Sequence, residues 1–88
     1  MPTISMFFGI VIRMYYSPKE HRPPHFHVYY QDCTAVIDIN TCEFIEGVLP
    51  NKQRKFVLAW AELHKEELLA NWGLCENGEA PFKIEPLR

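Results

Sequence analysis

Cysteine is scarce in this chain of 88 residues. Cys33, Cys42 and Cys75 form an odd, widely spaced set without a CxxC pair. That pattern argues against a disulfide framework and a cysteine-rich zinc module, and it suits a reducing cytoplasm. No apolar run is long enough to span a bilayer. The apolar opening, Met1 to Ile12, has neither a basic start nor a small-residue cleavage site, so it reads as a strand rather than a signal peptide. A net charge of −2 provides no general attraction to nucleic acid. Repeats, low-complexity tracts and linkers are lacking too, which leaves a single domain over residues 1–88.

What the chain does have is apolar mass. A hydrophobic fraction of 48% with 14% aromatic residues is enough for a core and argues against disorder. Charge is unevenly spread: residues 1–31 carry +2, 32–49 carry −4, 50–65 carry +3 and 66–88 carry −3. A local basic patch is therefore compatible with the acidic total.

The first 49 residues read as a meander of strands. Ile4–Tyr16 is rich in β-branched and aromatic residues and predicts one long strand or a hairpin-like pair, with Gly9 marking a bulge. Alternation sets Ile10, Ile12 and Met14 on one face and Val11, Arg13 and Tyr15 on the other. Ser17–Pro24 is a loop, because its paired prolines exclude helix. Strands follow at His25–Tyr30, Thr34–Ile39 and Glu43–Val48, separated by turns too short for anything but antiparallel neighbours.

Residues 50–72 predict one long helix, opened by Pro50 and stopped at Gly73. Helical projection gathers Phe56, Val57, Trp60, Ala61, His64, Leu68 and Trp72 on one side. Leu58 and Leu69 fall on the polar side and suggest a second contact surface such as a dimer interface. The tail, 73–88, turns at Asn77-Gly78, with Phe82–Glu85 as a short edge strand. The expected fold is α+β in two layers: an antiparallel sheet of about four to five strands, ordered β-β-β-β-α-β along the chain, packed on one helix. The second sheet face then lies open to solvent or to a partner.

The chemistry gathers at histidines. His21, His25 and His27 lie within seven residues. Strand alternation projects His25, His27 and Tyr29 from the open face or its rim, while Phe26 and Val28 enter the core. Three imidazoles, with Glu20 or Asp38 as an oxygen ligand or orienting group, form a candidate site for a zinc-like divalent metal. They can equally serve as general acid and base near neutral pH, or simply bond loop backbone and stiffen the Pro-Pro approach. His64 lies mid-helix on the apolar face, where a buried histidine satisfied by a carbonyl or polar neighbour is the commoner outcome. Glu67 and Asn71 project to its side. A catalytic role for it requires contact with the loop histidines.

The run EHRPPHFHVYY (Glu20–Tyr30) closely resembles the hallmark of a bacterial family, domain of unknown function 4160. The opening MPTISMFFGIVIRMYY, the block LPNKQRKFVLAWAELHKEELLANW and the closing PFKIEPL are similar to that family as well. Matching positions include His21, Pro23, Pro24, His25, Phe26, His27, Trp60, His64, Glu67, Leu68 and Trp72. The resemblance implies a prokaryotic origin and a compact single domain, and it brings no catalytic role with it. It also implies a partner, a small protein encoded by a neighbouring gene, in pairs of the toxin–antitoxin kind. Cys42 departs from the pattern, standing where a turn glycine is expected.

Two functional classes follow. One is an interaction module, an antitoxin or regulator, working as a homodimer or bound to its neighbour. The other is an RNA-directed toxin using Arg13, Tyr15, His25, His27 and Tyr29 on the open face, with Lys52, Arg54 and Lys55 at the helix start as phosphate or partner contacts. A metal-dependent activity on the histidine cluster is a third expectation.

Overall fold

The computed structural model describes residues 2–15 and 23–88. Strand β1 (Thr3–Phe7) turns through Phe8-Gly9 into β2 (Ile10–Arg13). Both turn residues have positive φ, 50° and 78°, the mirror-type geometry whose twist matches paired strands. A phenylalanine in that region costs roughly 1–2 kcal/mol. The Phe8 ring stacks on Phe56, with centroids 4.9 Å apart, and an aromatic pair returns about 0.5–1.5 kcal/mol. The expected hairpin is therefore present, but Gly9 serves its turn. The irregular register lies in β1, between Thr3 and Ser5.

Strands β3 (His25–Tyr30), β4 (Cys33–Asp38) and β5 (Phe44–Gly47) complete a five-stranded antiparallel meander in the order β1-β2-β3-β4-β5. The β4–β5 turn is held by Asp38, whose Oδ1 accepts from the backbone N–H groups of Asn40 (2.8 Å) and Thr41 (3.1 Å), a local bonding habit of aspartate. Cys42 takes the left-handed conformation there, φ 57°, a region in which glycine carries no steric cost.

Ile10, Ile12, Met14, Phe26, Val28, Ile37 and Ile39 are all fully buried on one face. Against them lies α1 (Asn51–Leu63), which contributes Val57, Trp60 and Ala61. Trp60 sits between Phe7 and Phe26, with ring centroids 5.5 and 5.8 Å away. Burying side chains of this size stabilises by roughly 1.5–3 kcal/mol each, so this layer is the main source of stability.

The single helix of the sequence reading is in fact two. At His64 the backbone leaves helical values (φ −116°, ψ 24°), and α2 (Lys65–Glu76) begins. His64 Nδ1–H donates to Glu67 Oε1 at 2.6 Å. Glu66 and Glu67 lie in the first turn of α2, where carboxylates complement the helix dipole. The second helix also passes Gly73, which therefore stops nothing. Gly78 (φ 78°) ends it: its N–H bonds the Cys75 carbonyl (3.1 Å) and that of Glu79 bonds Leu74 (2.8 Å), the paired bonds of a glycine-terminated helix.

The tail is extended but forms no strand. One bond, Ile84 N–H to the Ile4 carbonyl at 2.8 Å, ties it to the outer edge of β1. Side chains hold the rest: Asn71 makes two bonds to the Phe82 backbone (2.8 and 2.9 Å), and Trp60 Nε1–H donates to the Glu85 carbonyl (2.8 Å). Leu69, expected on a separate contact surface, packs against the core instead. Leu63 is the most exposed leucine, at 72%.

Candidate functional site

Register builds the open face. Arg13 of β2 pairs with His27 of β3, Val11 pairs with Tyr29, and His27 pairs in turn with Val36 of β4. Side chains one strand apart and directly opposed come within reach of each other. The outcome is a connected group. Tyr15 meets His27 edge-on, ring centroids 4.3 Å apart, and its hydroxyl is bonded to that of Tyr29. The Arg13 guanidinium lies over the Tyr29 ring, 5.2 Å from its centroid. Its Nε donates to Thr3 Oγ1 at 3.2 Å. Arg13, Tyr15, His27 and Tyr29 are each half-buried.

Burial, followed by the hydrogen bond and charge of Tyr15, raises the Tyr29 hydroxyl above the ordinary tyrosine pKa, and Arg13 opposes the shift. Tyr29 therefore remains a neutral hydroxyl across the physiological range.

His25 stands apart. It is buried, with 4% exposure, although alternation assigns it to the face of His27. Its Nδ1–H donates to the Pro23 carbonyl at 2.9 Å. Trp72 of α2 packs against its ring, centroids 4.9 Å apart, and His27 lies 5.3 Å away on the same measure. Lys65, at the start of α2, bonds the Asn40 carbonyl beyond the end of β4 (2.6 Å).

The remaining sequence candidates are dispersed. His64 has Trp60 (ring centroids 5.5 Å) and Glu67 as partners, which meets the expectation of a histidine satisfied by a polar neighbour. Asn71 faces the tail rather than His64. Lys52, Arg54 and Lys55 are exposed at the start of α1, and Arg54 lies over the Phe44 ring at 5.3 Å. Asp38 Oδ1 is committed to its turn. His21 and Glu20 lie outside the described residues. Among the described residues no three histidine, cysteine or acidic side chains gather as a metal site, so the zinc-like reading depends on His21.

The family model for a domain of unknown function, DUF4160, matches residues 9–73. The chain belongs to that family. The matched span covers β2 to β5, α1 and most of α2, so it takes in Arg13, Tyr15, His27 and Tyr29 together with His25 and His64. No curated protein and no solved structure matches the chain. No described helix is long and apolar enough to cross a membrane.

Sequence reasoning found Arg13, Tyr15, His27 and Tyr29 through period-two alternation. It missed Thr3 as the support of Arg13 and Trp72 as the cover of His25. The HKEE run (His64–Glu67) was the available signal for the second, since acidic residues mark a helix start.

Proposed function

We propose that this DUF4160 domain is a non-enzymatic interaction module that binds a partner protein through the open sheet face, within a two-component system of the toxin–antitoxin kind. The observation that carries this reading is the mutual locking of Arg13, Tyr15, His27 and Tyr29. Arginine and tyrosine dominate the binding energy of protein interfaces. Side chains already held by their neighbours lose little further entropy on association. His25, which a two-histidine acid–base mechanism would need, is buried, bonded to Pro23 and covered by Trp72.

The test is co-expression with the product of the neighbouring gene, with the complex measured by size-exclusion light scattering and calorimetry. Arg13→Ala and Tyr29→Ala are expected to weaken a complex at least about tenfold while the fold persists, a loss of roughly 1.4 kcal/mol or more. A complex that neither variant weakens rules out this face, and lack of any complex rules out the module.

The cation over an aromatic ring favours a second reading, an RNA-directed toxin. Guanidinium groups neutralise phosphate, and half-exposed rings stack on bases. The net charge of −2 opposes it. Growth arrest on expression, relieved by the neighbour and abolished by His27→Ala, is the outcome this reading requires.

A further inference from the structure

The five strands carry a single lysine or arginine, Arg13. Its charge is held in place on the open face. Nε donates to Thr3 Oγ1 at 3.2 Å, and the guanidinium lies over the Tyr29 ring. The two terminal nitrogens have no hydrogen-bond or ion-pair partner among the described residues. The acidic residues of the strands, Asp38 and Glu46, belong to β4 and β5, on the far side of β3 from Arg13. Apolar surface adjoins this charge. Val11 lies two positions back on β2, about 7 Å along the same face, and pairs with Met6 of β1. Met6 is 64% exposed, more than any other large apolar side chain of the strands.

We propose that the partner protein meets this end of the open face with a carboxylate side chain flanked by an aliphatic one. The carboxylate accepts a forked pair of N–H bonds from the terminal nitrogens of Arg13, and the aliphatic side chain seats on Met6 and Val11. The proposal rests on the partner-binding reading and names the chemistry of the partner. A guanidinium fork matches the two oxygens of a carboxylate, which makes the contact directional as well as charged. Thr3 and Tyr29 already hold the guanidinium, so its docking forfeits little side-chain freedom. Nucleic acid fits less well. Tracking a phosphate backbone takes a series of cations, whereas the strands offer one cation beside an apolar platform.

The experiment is a titration of the full chain with the peptide acetyl-Leu-Asp-Leu-amide, followed by amide and guanidinium NMR, with acetyl-Leu-Asn-Leu-amide as the uncharged control. Saturable shifts at Met6, Val11 and Arg13 are expected with the Asp peptide, and the Asn peptide should bind at least about tenfold more weakly, having lost the charged acceptor. Arg13→Lys keeps the charge without the fork and should weaken the Asp peptide at least about fivefold. Met6→Ser should weaken both peptides. The proposal is overturned by absence of saturable shifts, by equal affinity for the two peptides, or by full affinity in a folded Arg13→Lys variant. Tighter, Arg13-dependent binding of a single-stranded oligouridylate also overturns it, because the guanidinium would then serve phosphate. A complex with the neighbouring gene's product that Tyr29→Ala weakens and Arg13→Lys does not overturns this contact and leaves the open-face reading standing. Lack of any such complex removes that reading, and the proposal with it.

Discussion

The imidazole of His25 rests against the indole of Trp72, ring centroids 4.9 Å apart, while its Nδ1–H is held by the Pro23 carbonyl. The contact joins the first residue of β3 to the second helix, so His25 acts as a structural joint between sheet and α2. His27, two residues on, faces the half-exposed group with Tyr15. The two histidines should therefore separate on mutation. Trp72→Ala is expected to cost about 3–5 kcal/mol, as for other buried aromatic truncations. His25→Ala should cost about 2 kcal/mol, through lost packing and an unpaired carbonyl. His27→Ala should cost under about 1 kcal/mol, in the range of partly exposed positions. Urea unfolding of the three variants measures this, and a His27→Ala loss exceeding that of His25→Ala would reverse the assignment.

Asn71 is the clamp of the tail. It is fully buried, and its amide satisfies both the N–H and the carbonyl of Phe82. Asn71→Ala leaves two backbone groups without partners, at about 1–3 kcal/mol for each that remains dry. The expected loss is about 2–4 kcal/mol. Hydrogen exchange should quicken at Phe82 and Ile84 and stay slow in β3 and β4. Uniform acceleration across the sheet would mean that the tail and core open together.

The meander was legible because period-two alternation and short turns leave few alternatives: Ile10, Ile12, Met14, Phe26 and Val28 are buried as their spacing requires. The helix break was not. His64 lies on the same apolar stripe as Trp60, Leu68 and Trp72, so a continuous helix explains the spacing equally well. Only the acidic first turn of α2 distinguishes the two. The tail was misjudged for a related reason. FKIE has strand-like composition, but Asn71 holds the Phe82 backbone and Trp60 the Glu85 carbonyl, with one bond from Ile84 to β1, and side-chain clamps leave no period in the sequence. For the site, alternation assigned the correct face to Arg13, Tyr15, His27 and Tyr29. The burial of His25 rests on a contact with Trp72, far along the chain, which strand alternation does not encode.

Gly47 and Gln31 make opposite cases of positive φ. A Cβ on Gly47 (φ 76°) would stand 2.1 Å from the Thr34 carbonyl oxygen, and backbone cannot yield as a flexible side chain does. Gly47→Ala should cost about 3 kcal/mol, combining left-handed strain with overpacking. Gln31 (φ 50°) is exposed in the two-residue turn between β3 and β4. There Gln31→Gly should stabilise by about 0.5 kcal/mol, since relief of left-handed strain of roughly 1–2 kcal/mol exceeds the added entropy of the unfolded glycine. Thermal unfolding of both variants checks the pair. A stable Gly47→Ala would mean that β5 can shift away from β4.

The Tyr15–Tyr29 hydroxyl pair predicts behaviour at alkaline pH. Burial first, then the bond and charge of Tyr15, hold Tyr29 above the ordinary tyrosine value, with Arg13 pulling the other way. The folded chain therefore keeps this proton to higher pH than the unfolded chain does. Between the unfolded value, about 10, and the raised folded value, the folded state binds more protons, so stability falls as pH rises. The contribution is fully present below about pH 10 and is lost as pH climbs through the folded pKa. Tyr29→Phe removes the titrating group, so its stability should decline less steeply on the alkaline side. At neutral pH it should lose about 1 kcal/mol for the missing hydroxyl bond. Tyrosinate absorbance should show a late-titrating component in the parent chain that the Tyr29→Phe variant lacks. Identical alkaline slopes for the two proteins would show that Tyr29 ionises as freely folded as unfolded, and that the hydroxyl pair is not held closed.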